Sequence, residues 1–387
     1  MNNTQSNPKH VILVAHKYLT QPDDDLTSYL NQQHYTKVLH ICHSFIDAPD
    51  RKSYYRYYEH GELKKEHSSF DFNGWPEPLL YLKELFYTCW WVILSGTRWD
   101  TYIGMDGLCV LFGNILKTLQ LVKKTIFWAI DFVPEARFGS ALKNWIYHSI
   151  NTHGYTHSDE MWDLSPRMAE ARSKYLNFPE SKYKMRRLVP YGSWTERIQR
   201  YSWEKCKQHQ LVFMGILLEK QGVQLVLQAI PDIVKKLPDF HFVIIGGGPY
   251  RDELETLVKK LKIEKYCTFT GKIPDHQDLE KVIAQSGVAV APYIAKLDTW
   301  TYYADPGKVK TYLACGVPVV LTDLPWNAKA IQEANAGVIV EEDSSEIATA
   351  VITLMKANNG QSWRENASEY AKNYSYDVMF KKVEAYL

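Results

Sequence analysis

The residues best placed to do chemistry lie in one run, Asp305-Pro306-Gly307-Lys308-Val309-Lys310-Thr311, continued by Tyr312-Leu313-Ala314-Cys315-Gly316 and the apolar Val317-Pro318-Val319-Val320. The pattern predicts a short helix with Asp305 as its N-cap and Pro306 at its first position, where a missing N–H costs nothing. Gly316 supplies a left-handed stop before a buried strand. A helix N-terminus that presents amides together with a glycine and a lysine, here Gly307 and Lys308, is a site for phosphate. The same residues also describe a plain helix-to-strand connection with a solvated lysine. The local pattern leaves both open.

Three more features fall at predicted strand ends, where ligands of open α/β sheets bind. Leu211–Met214 reads as a strand ending at Gly215, followed by Glu219-Lys220-Gln221-Gly222. Phe240–Ile245 runs into Gly246-Gly247-Gly248, and Cys267–Thr270 runs into Gly271-Lys272-Ile273-Pro274. Two lysines, a glycine-lined loop and a helix start on one edge predict a pyrophosphate site, with backbone near Ile273 positioned to read a base edge. A nicotinamide-dinucleotide fingerprint does not fit, because Arg251 stands where its third glycine belongs. The chain has no P-loop string near these strands, no G-x-S-x-G and no H-E-x-x-H.

The elements that must hold these residues alternate strand and helix through the second half, which predicts a doubly wound parallel sheet. The first half offers strands at His10–Ala15, Lys37–Ile41, Trp99–Ile103, Lys124–Ile130 and Gly154–Thr156. A helix over Glu77–Ile93 is expected to carry Leu79, Leu80, Leu82, Leu85 and Phe86 on one face. The break between halves falls near Val189–Trp203, where Pro190-Tyr191-Gly192 signals a turn. A final helical segment, Trp363–Leu387, lies beyond the second sheet.

Length and composition narrow the class. A chain of 387 residues implies about two or three domains. Its net charge of +1 gives no global field that would favour nucleic acid. Twenty-six Tyr and twelve Trp suit carbohydrate faces, membrane interfaces or plain packing. Six scattered cysteines without C-x-x-C show no zinc or redox motif and fit a reducing cytosol. No signal peptide is visible at the start, and the apolar stretch Cys89–Ser95 is too short to span a bilayer.

The string G-x(4)-K-x-G-V at Gly215–Val223, the later P-x-K-x-x-x-Y-L-A-x-G-x-P-V-V and the F-x-G together resemble the GT-B glycosyltransferases, in particular the large bacterial group that uses UDP- or GDP-sugars. The resemblance is strong over 205–387 and weak over 1–190. It implies an α/β chain of two Rossmann-like domains facing across a cleft, over 1–195 and 205–372, with a C-terminal helix at 373–387 packing back on the first. It implies a donor site of Gly215, Lys220, Gly246, Gly247, Gly248, Lys272, Ile273, Asp305, Pro306, Gly307, Lys308, Val309 and Thr311. Lys220 would neutralise the leaving diphosphate, the Pro306 helix would hold phosphate, and the Lys272-Ile273 loop would meet the base. One departure stands out. The positions of the family's frequent E-x(7)-E fall on Tyr303 and Thr311, neither acidic. Asp305 is the nearest carboxylate, as a cap or as a partner of sugar hydroxyls.

In the first half, strand-end residues that could serve an acceptor are His16, Asp106, Asp131, Glu135 and Arg137. Asp131 would emerge at a carboxyl end, where it could accept a hydroxyl proton or bond its own turn. Asp106 is the second choice, and His16 could touch the donor. Two basic-aromatic stretches, Arg51–Tyr58 with Lys64-Lys65 and Leu116–Phe127 with Lys117, Lys123 and Lys124, leave open a contact with anionic lipid heads. The expected protein is a cytosolic transferase, peripheral to the inner face of a membrane if those stretches bind lipid. It would need no metal or cofactor and would carry a sugar from a nucleotide diphosphate to a glycan or lipid-linked acceptor. A sugar-nucleotide 2-epimerase and a non-catalytic nucleotide-sugar binding protein are the alternatives.

Overall fold

The computed structural model describes residues 9–17, 22–44, 50–133, 136–297, 299–356 and 358–387, so Glu135 lies outside the described residues. The chain divides into two compact units, residues 1–189 with 380–387 and residues 190–379.

The first unit is built on β1 (His10–Lys17), β2 (Lys37–Ser44), β3 (Ser53–Glu59), β4 (Glu62–Ser68), β5 (Trp99–Gly104), β6 (Val122–Ala129), β7 (Glu160–Asp163) and β8 (Arg186–Leu188). Their order in the sheet is β4-β3-β2-β1-β5-β6-β7-β8. β1 pairs parallel with β2 and β5, and β3–β4 is an antiparallel hairpin added to the β2 edge. The helices are α1 (Pro22–Gln32), α2 (Glu77–Leu94), α3 (Gly107–Thr118), α4 (Ala141–His157) and α5 (Arg167–Leu176). The Val11–Ala15 run of β1 is wholly buried, as a strand covered on both faces must be.

Two expectations fail in this unit. Gly154-Tyr155-Thr156 is not a strand but the last turn of α4. A Cβ on Gly154 would sit 2.7 Å from the Phe127 ring, and Tyr155 stacks on that ring at 5.4 Å, so the glycine serves helix–sheet packing. The strand that follows, β7, hid from hydropathy because two of its four residues are acidic. Asp163 is buried on Arg172 and Arg186, and Glu160 on Lys124 and Arg187. The second failure concerns α2. The residues expected on one face are divided: Leu80 is buried beside Lys83 and Glu84, whereas Leu79, Leu82 and Phe86 are 41%, 60% and 58% exposed.

Most cations of the stretches that left open a lipid contact pair within the unit, Lys65 standing exposed. Lys117 pairs with Asp159, Lys123 with Asp100, and Lys124 with Glu160. In the hairpin, Arg56 pairs with Glu66 and Lys64 with Glu62. Those stretches therefore carry far less uncompensated positive charge than their composition implied.

The second unit has an all-parallel sheet of β9 (Lys207–Met214), β10 (His241–Ile245), β11 (Cys267–Gly271), β12 (Ser286–Ala291), β13 (Val319–Thr322) and β14 (Gly337–Val340), in the order β11-β10-β9-β12-β13-β14. Its helices are α6 (Val223–Lys236), α7 (Arg251–Leu261), α8 (His276–Ala284), α9 (Thr299–Tyr303), α10 (Gly307–Ala314), α11 (Ala328–Glu333), α12 (Ser344–Lys356), α13 (Gly360–Lys372) and α14 (Tyr376–Glu384). One core joins β9 and β10 to α6 and α12 through Phe213, Ile230 and Val351. The other lies on the opposite face, where Val309, Tyr312 and Leu313 of α10 meet Val212 and Ile283.

The boundary falls at Val189/Pro190, the start of the expected break over Val189–Trp203, and before residue 195, where the first domain was expected to end. That stretch is woven into the second unit: Tyr191 N–H donates to Asp305, and Ser193 exchanges bonds with Tyr374 and Tyr376. The C-terminal segment divides within α14. Residues 380–387 count with the first unit, where Phe380 packs on Tyr29 and Trp128.

Candidate active site

Each sheet has a switch point, where successive connections leave in opposite directions and open a crevice at the carboxyl ends of the strands. In the second unit it lies between β9 and β12. The Lys308 amine stands there, 4.2 Å from the Phe213 ring centre and 5.1 Å from that of Tyr293. It donates to the Gln221 side-chain carbonyl and lies 2.8 Å from where a Cβ on Gly215 would be. Lys220 is the residue before Gln221, and its amine sits 5.3 Å from the Trp300 ring centre.

The glycines let the loops close on one another. Gly246 (φ +127°) has its Cβ position 2.0 Å from Gly215 O, and its N–H donates to Gly271 O at 2.9 Å. Gly248 would drive a Cβ into the Leu217 backbone at 2.4 Å, while Gly247 has open space around it. Gly215, Gly246 and Gly271 are thus assembled at one edge. Lys272 is exposed beside them and Ile273 leans on the α10-side core. Arg251, noted in the sequence only for displacing a glycine, brings its guanidinium 3.9 Å from the Cβ position of Gly271. That cation was missed because no motif required it.

Helix α10 holds Lys308 in place. Tyr312 accepts the Met214 N–H at the end of β9, at 2.6 Å. Val309 is 1% exposed and belongs to the core, and its N–H donates to Pro306 O, so its side chain is not a ligand group. Thr311 donates to Gly307 O at 3.3 Å, and Tyr303 is 5% exposed. The expected N-cap is corrected. Pro306 takes the cap position without a side-chain bond, and Asp305 is buried in an ion pair with Lys310. It also accepts the Tyr191 N–H (2.7 Å) and the Trp326 indole N–H (2.8 Å). Buried at 2% exposure and bonded to Lys310, Tyr191 and Trp326, Asp305 does not cap the helix. Burial pulls the Lys310 amine below its ordinary value, opposed by Asp305.

In the first unit the switch point lies between β1 and β5, and it brings His16 and Asp106 together. His16 Nδ1 is 2.6 Å from Asp106 Oδ2, and Nε2 is 3.0 Å from Glu84 Oε2. Asp106 also caps α3 by accepting the Cys109 N–H at 2.8 Å. Burial works against a charged imidazole, yet the carboxylates of Asp106 and Glu84 and the nearby Cys109 raise the His16 pKa well above its ordinary value. Asp106 and Glu84 are correspondingly depressed by the same contact, against the effect of their own burial. His43 lies 5.6 Å away, ring to ring, and faces the Ser53 and Thr88 hydroxyls. Burial therefore prevails there and lowers its pKa to about 3. Of these adjacent histidines, the one bonded to carboxylates is thus pushed towards the charged form and the one bonded to hydroxyls towards the neutral form.

Glu84 was not identified in the sequence, where it reads as one charge in a helix. The signal was available in α2, whose only charged neighbours in the apolar run, Lys83 and Glu84, point inward. Asp131 makes no bond to this pair. It is half exposed and bonded to Arg137 at 3.0 Å, with Tyr147 completing the group. Glu84→Gln should let the His16 pKa fall towards the ordinary histidine value, read by NMR titration of the ring proton. The sign follows from linkage. The stability His16 contributes is complete below about pH 6.5 and is lost as pH rises through its folded pKa, so the variant should lose mainly the low-pH part.

Among the described residues, side chains able to ligate a metal meet twice, at His16–Asp106–Cys109 and at Asp23–His40–Cys42. Each group is tied by its own hydrogen bonds, His40 Nε2 lying 2.8 Å from Asp23 Oδ2.

Two doubly wound α/β units, each with a polar switch point, make this a GT-B fold. Sucrose-phosphate synthase from Thermosynechococcus elongatus superposes with a TM-score of 0.70 over 98% of both chains at 15% identity. Anabaena HepE, solved in complex with UDP, gives 0.69 over 97% of this chain and 98% of its own at 11% identity. Residues 208–357, which contain the Lys308 site, match the family described as glycosyl transferases group 1, and the chain resembles GT-B enzymes of that group. A GDP-mannose-dependent alpha-(1-6)-phosphatidylinositol monomannoside mannosyltransferase of Mycolicibacterium smegmatis is 28% identical over 152 residues, 38% of each chain. The D-inositol 3-phosphate glycosyltransferase of Corynebacterium kroppenstedtii is 26% identical over 192 residues, 47% of this chain and 41% of its own. The chain thus spans about two fifths of the length of these curated relatives.

Proposed function

We propose that the protein is a glycosyltransferase that moves a sugar from a nucleoside diphosphate donor, UDP- or GDP-linked, to a glycan or lipid-linked acceptor. The observation that carries this reading is the Lys308 amine at the β9/β12 switch point, among Gly215, Gln221 and the start of α10. As the sugar leaves, negative charge grows on the diphosphate, and a fixed ammonium with helix amides stabilises that charge more than it stabilises the intact donor. Lys220 adds a second cation from the neighbouring loop. This set supplies the positive charge the leaving group needs, so the reading requires neither a metal nor a cofactor. The relatives act on, or are solved with, GDP-mannose or UDP, which supports a donor of that type. A cytosolic location fits free nucleotide sugars and six unbridged cysteines.

A thermal-shift screen with UDP-, GDP-, ADP- and dTDP-sugars should single out one base, and that donor should release nucleoside diphosphate only when an acceptor is added. Product from the nucleotide sugar alone would identify an epimerase. Binding with no release from any donor and acceptor mixture would identify a non-catalytic binding protein.

A further inference from the structure

We propose that the outward face of α2 docks the first unit on a bilayer surface containing anionic lipid. Helix α2 is apolar on both faces, since Leu80, Trp91 and Val92 are buried within the unit while a second apolar stripe faces outward. Its charged residues Lys83 and Glu84 face inward, where Lys83 donates to Arg51 O and Glu84 meets His16. Its outward stripe is Leu79, Leu82, Phe86, Trp90 and Ile93, each between 41% and 60% exposed. These positions follow a helical repeat and form a continuous apolar strip about 21 Å long at 1.5 Å per residue. Scattered apolar side chains on a surface need no explanation, but an unbroken strip of this kind marks an interaction face.

The chemistry of the strip chooses the occupant. A protein partner normally places hydrogen-bonding groups around an apolar centre. This face offers very few, since the Tyr81 hydroxyl is already bonded to Glu77 and no exposed acidic side chain interrupts 79–96. A surface that asks for no hydrogen bonds suits hydrocarbon. The polar handles lie at the ends. Trp75 precedes the helix, and Leu142 and Trp145 of α4 are 65% and 67% exposed where Lys143 bonds Glu77 at the start of α2. Exposed Arg98 follows the other end. Tryptophans beside an apolar strip, with the Arg98 guanidinium at one end, match the headgroup zone, where indoles settle and a cation meets anionic lipid. Among the described residues no helix is long and apolar enough to cross a membrane, so α2 would lie in the interface plane.

The start of α2 is at the carboxyl edge of the first sheet, the edge that also carries His16 and Asp106. Docking there would bring those groups to an acceptor held in the same leaflet. That assignment of a lipid-linked acceptor rests on the transferase reading, whereas the docking face does not. Vesicle sedimentation tests docking without any sugar transfer. The wild-type chain should pellet with vesicles of phosphatidylcholine and about one third phosphatidylglycerol, and more weakly with phosphatidylcholine alone. Phe86→Glu with Trp90→Glu should reduce the bound fraction at least tenfold while leaving the melting temperature and nucleotide-sugar binding unchanged. Vesicle binding that survives the double variant would overturn the proposal, as would a wild type that never pellets. A dimer in light scattering that dissociates in the variant, with no vesicle binding by either, would assign the strip to a second copy of the chain. Loss of nucleotide-sugar binding in the wild type itself would count against the transferase reading and leave the docking result standing.

Discussion

Replacing Lys308 by alanine is expected to lower kcat by about a hundredfold or more, the scale seen when one preorganised charge-stabilising donor is removed. The amine is held by Gln221 and flanked by Phe213 and Tyr293, so its position is set before any donor arrives. The loss should fall on kcat more than on KM, because charge on the diphosphate grows as the bond to the sugar breaks. Adding Lys220→Ala should deepen the loss by less than the product of the single effects, since both cations serve one leaving group. Unchanged steady-state turnover in the double variant, with an unchanged melting curve, would remove the phosphate-site assignment.

Lys310→Met, two residues along the same helix, should behave oppositely. It should cost about 3–5 kcal/mol of stability, because it strands the buried Asp305 carboxylate without its cation. Asp305→Asn combined with Lys310→Met should recover part of that loss, since the amide still accepts a bond from Tyr191 or Trp326 and carries no charge. Denaturant unfolding of both variants separates the cases. A Lys310→Met protein within about 1 kcal/mol of wild type would show that the pair contributes little.

These neighbouring lysines show what the sequence could convey and what it withheld. The run from Asp305 to Gly316 gave the helix, its stop and the following strand, because caps, glycines and apolar runs are local signals. It could not say which lysine faces a ligand, since that depends on where Gly215, Gln221 and Asp305 arrive from elsewhere. Asp305 looked like a cap because a carboxylate before proline usually is one. Its true partners, Lys310, Tyr191 and Trp326, include two that only the tertiary fold supplies.

The first half was harder to read for the same reason. β7 carries two acidic residues that three arginines and Lys124 neutralise, so its strand pattern vanished. Helix α2 is apolar nearly all round, so its period could not say that Leu79, Leu82 and Phe86 stay outside while Leu80, Trp91 and Val92 are buried beside Glu84, which meets His16. His16 and Asp106 were both legible as strand-end residues. Their pairing through a 90-residue separation was not.

The claim on which the rest depends is that a nucleoside diphosphate binds at the β9/β12 switch point of the second unit. Hydrogen–deuterium exchange with and without UDP or GDP tests it most directly. One of the two nucleotides should protect the amides of 215–222, 246–248 and 307–311, and Lys308→Ala should abolish that protection. Protection confined to other segments, or none with either nucleotide, would contradict it.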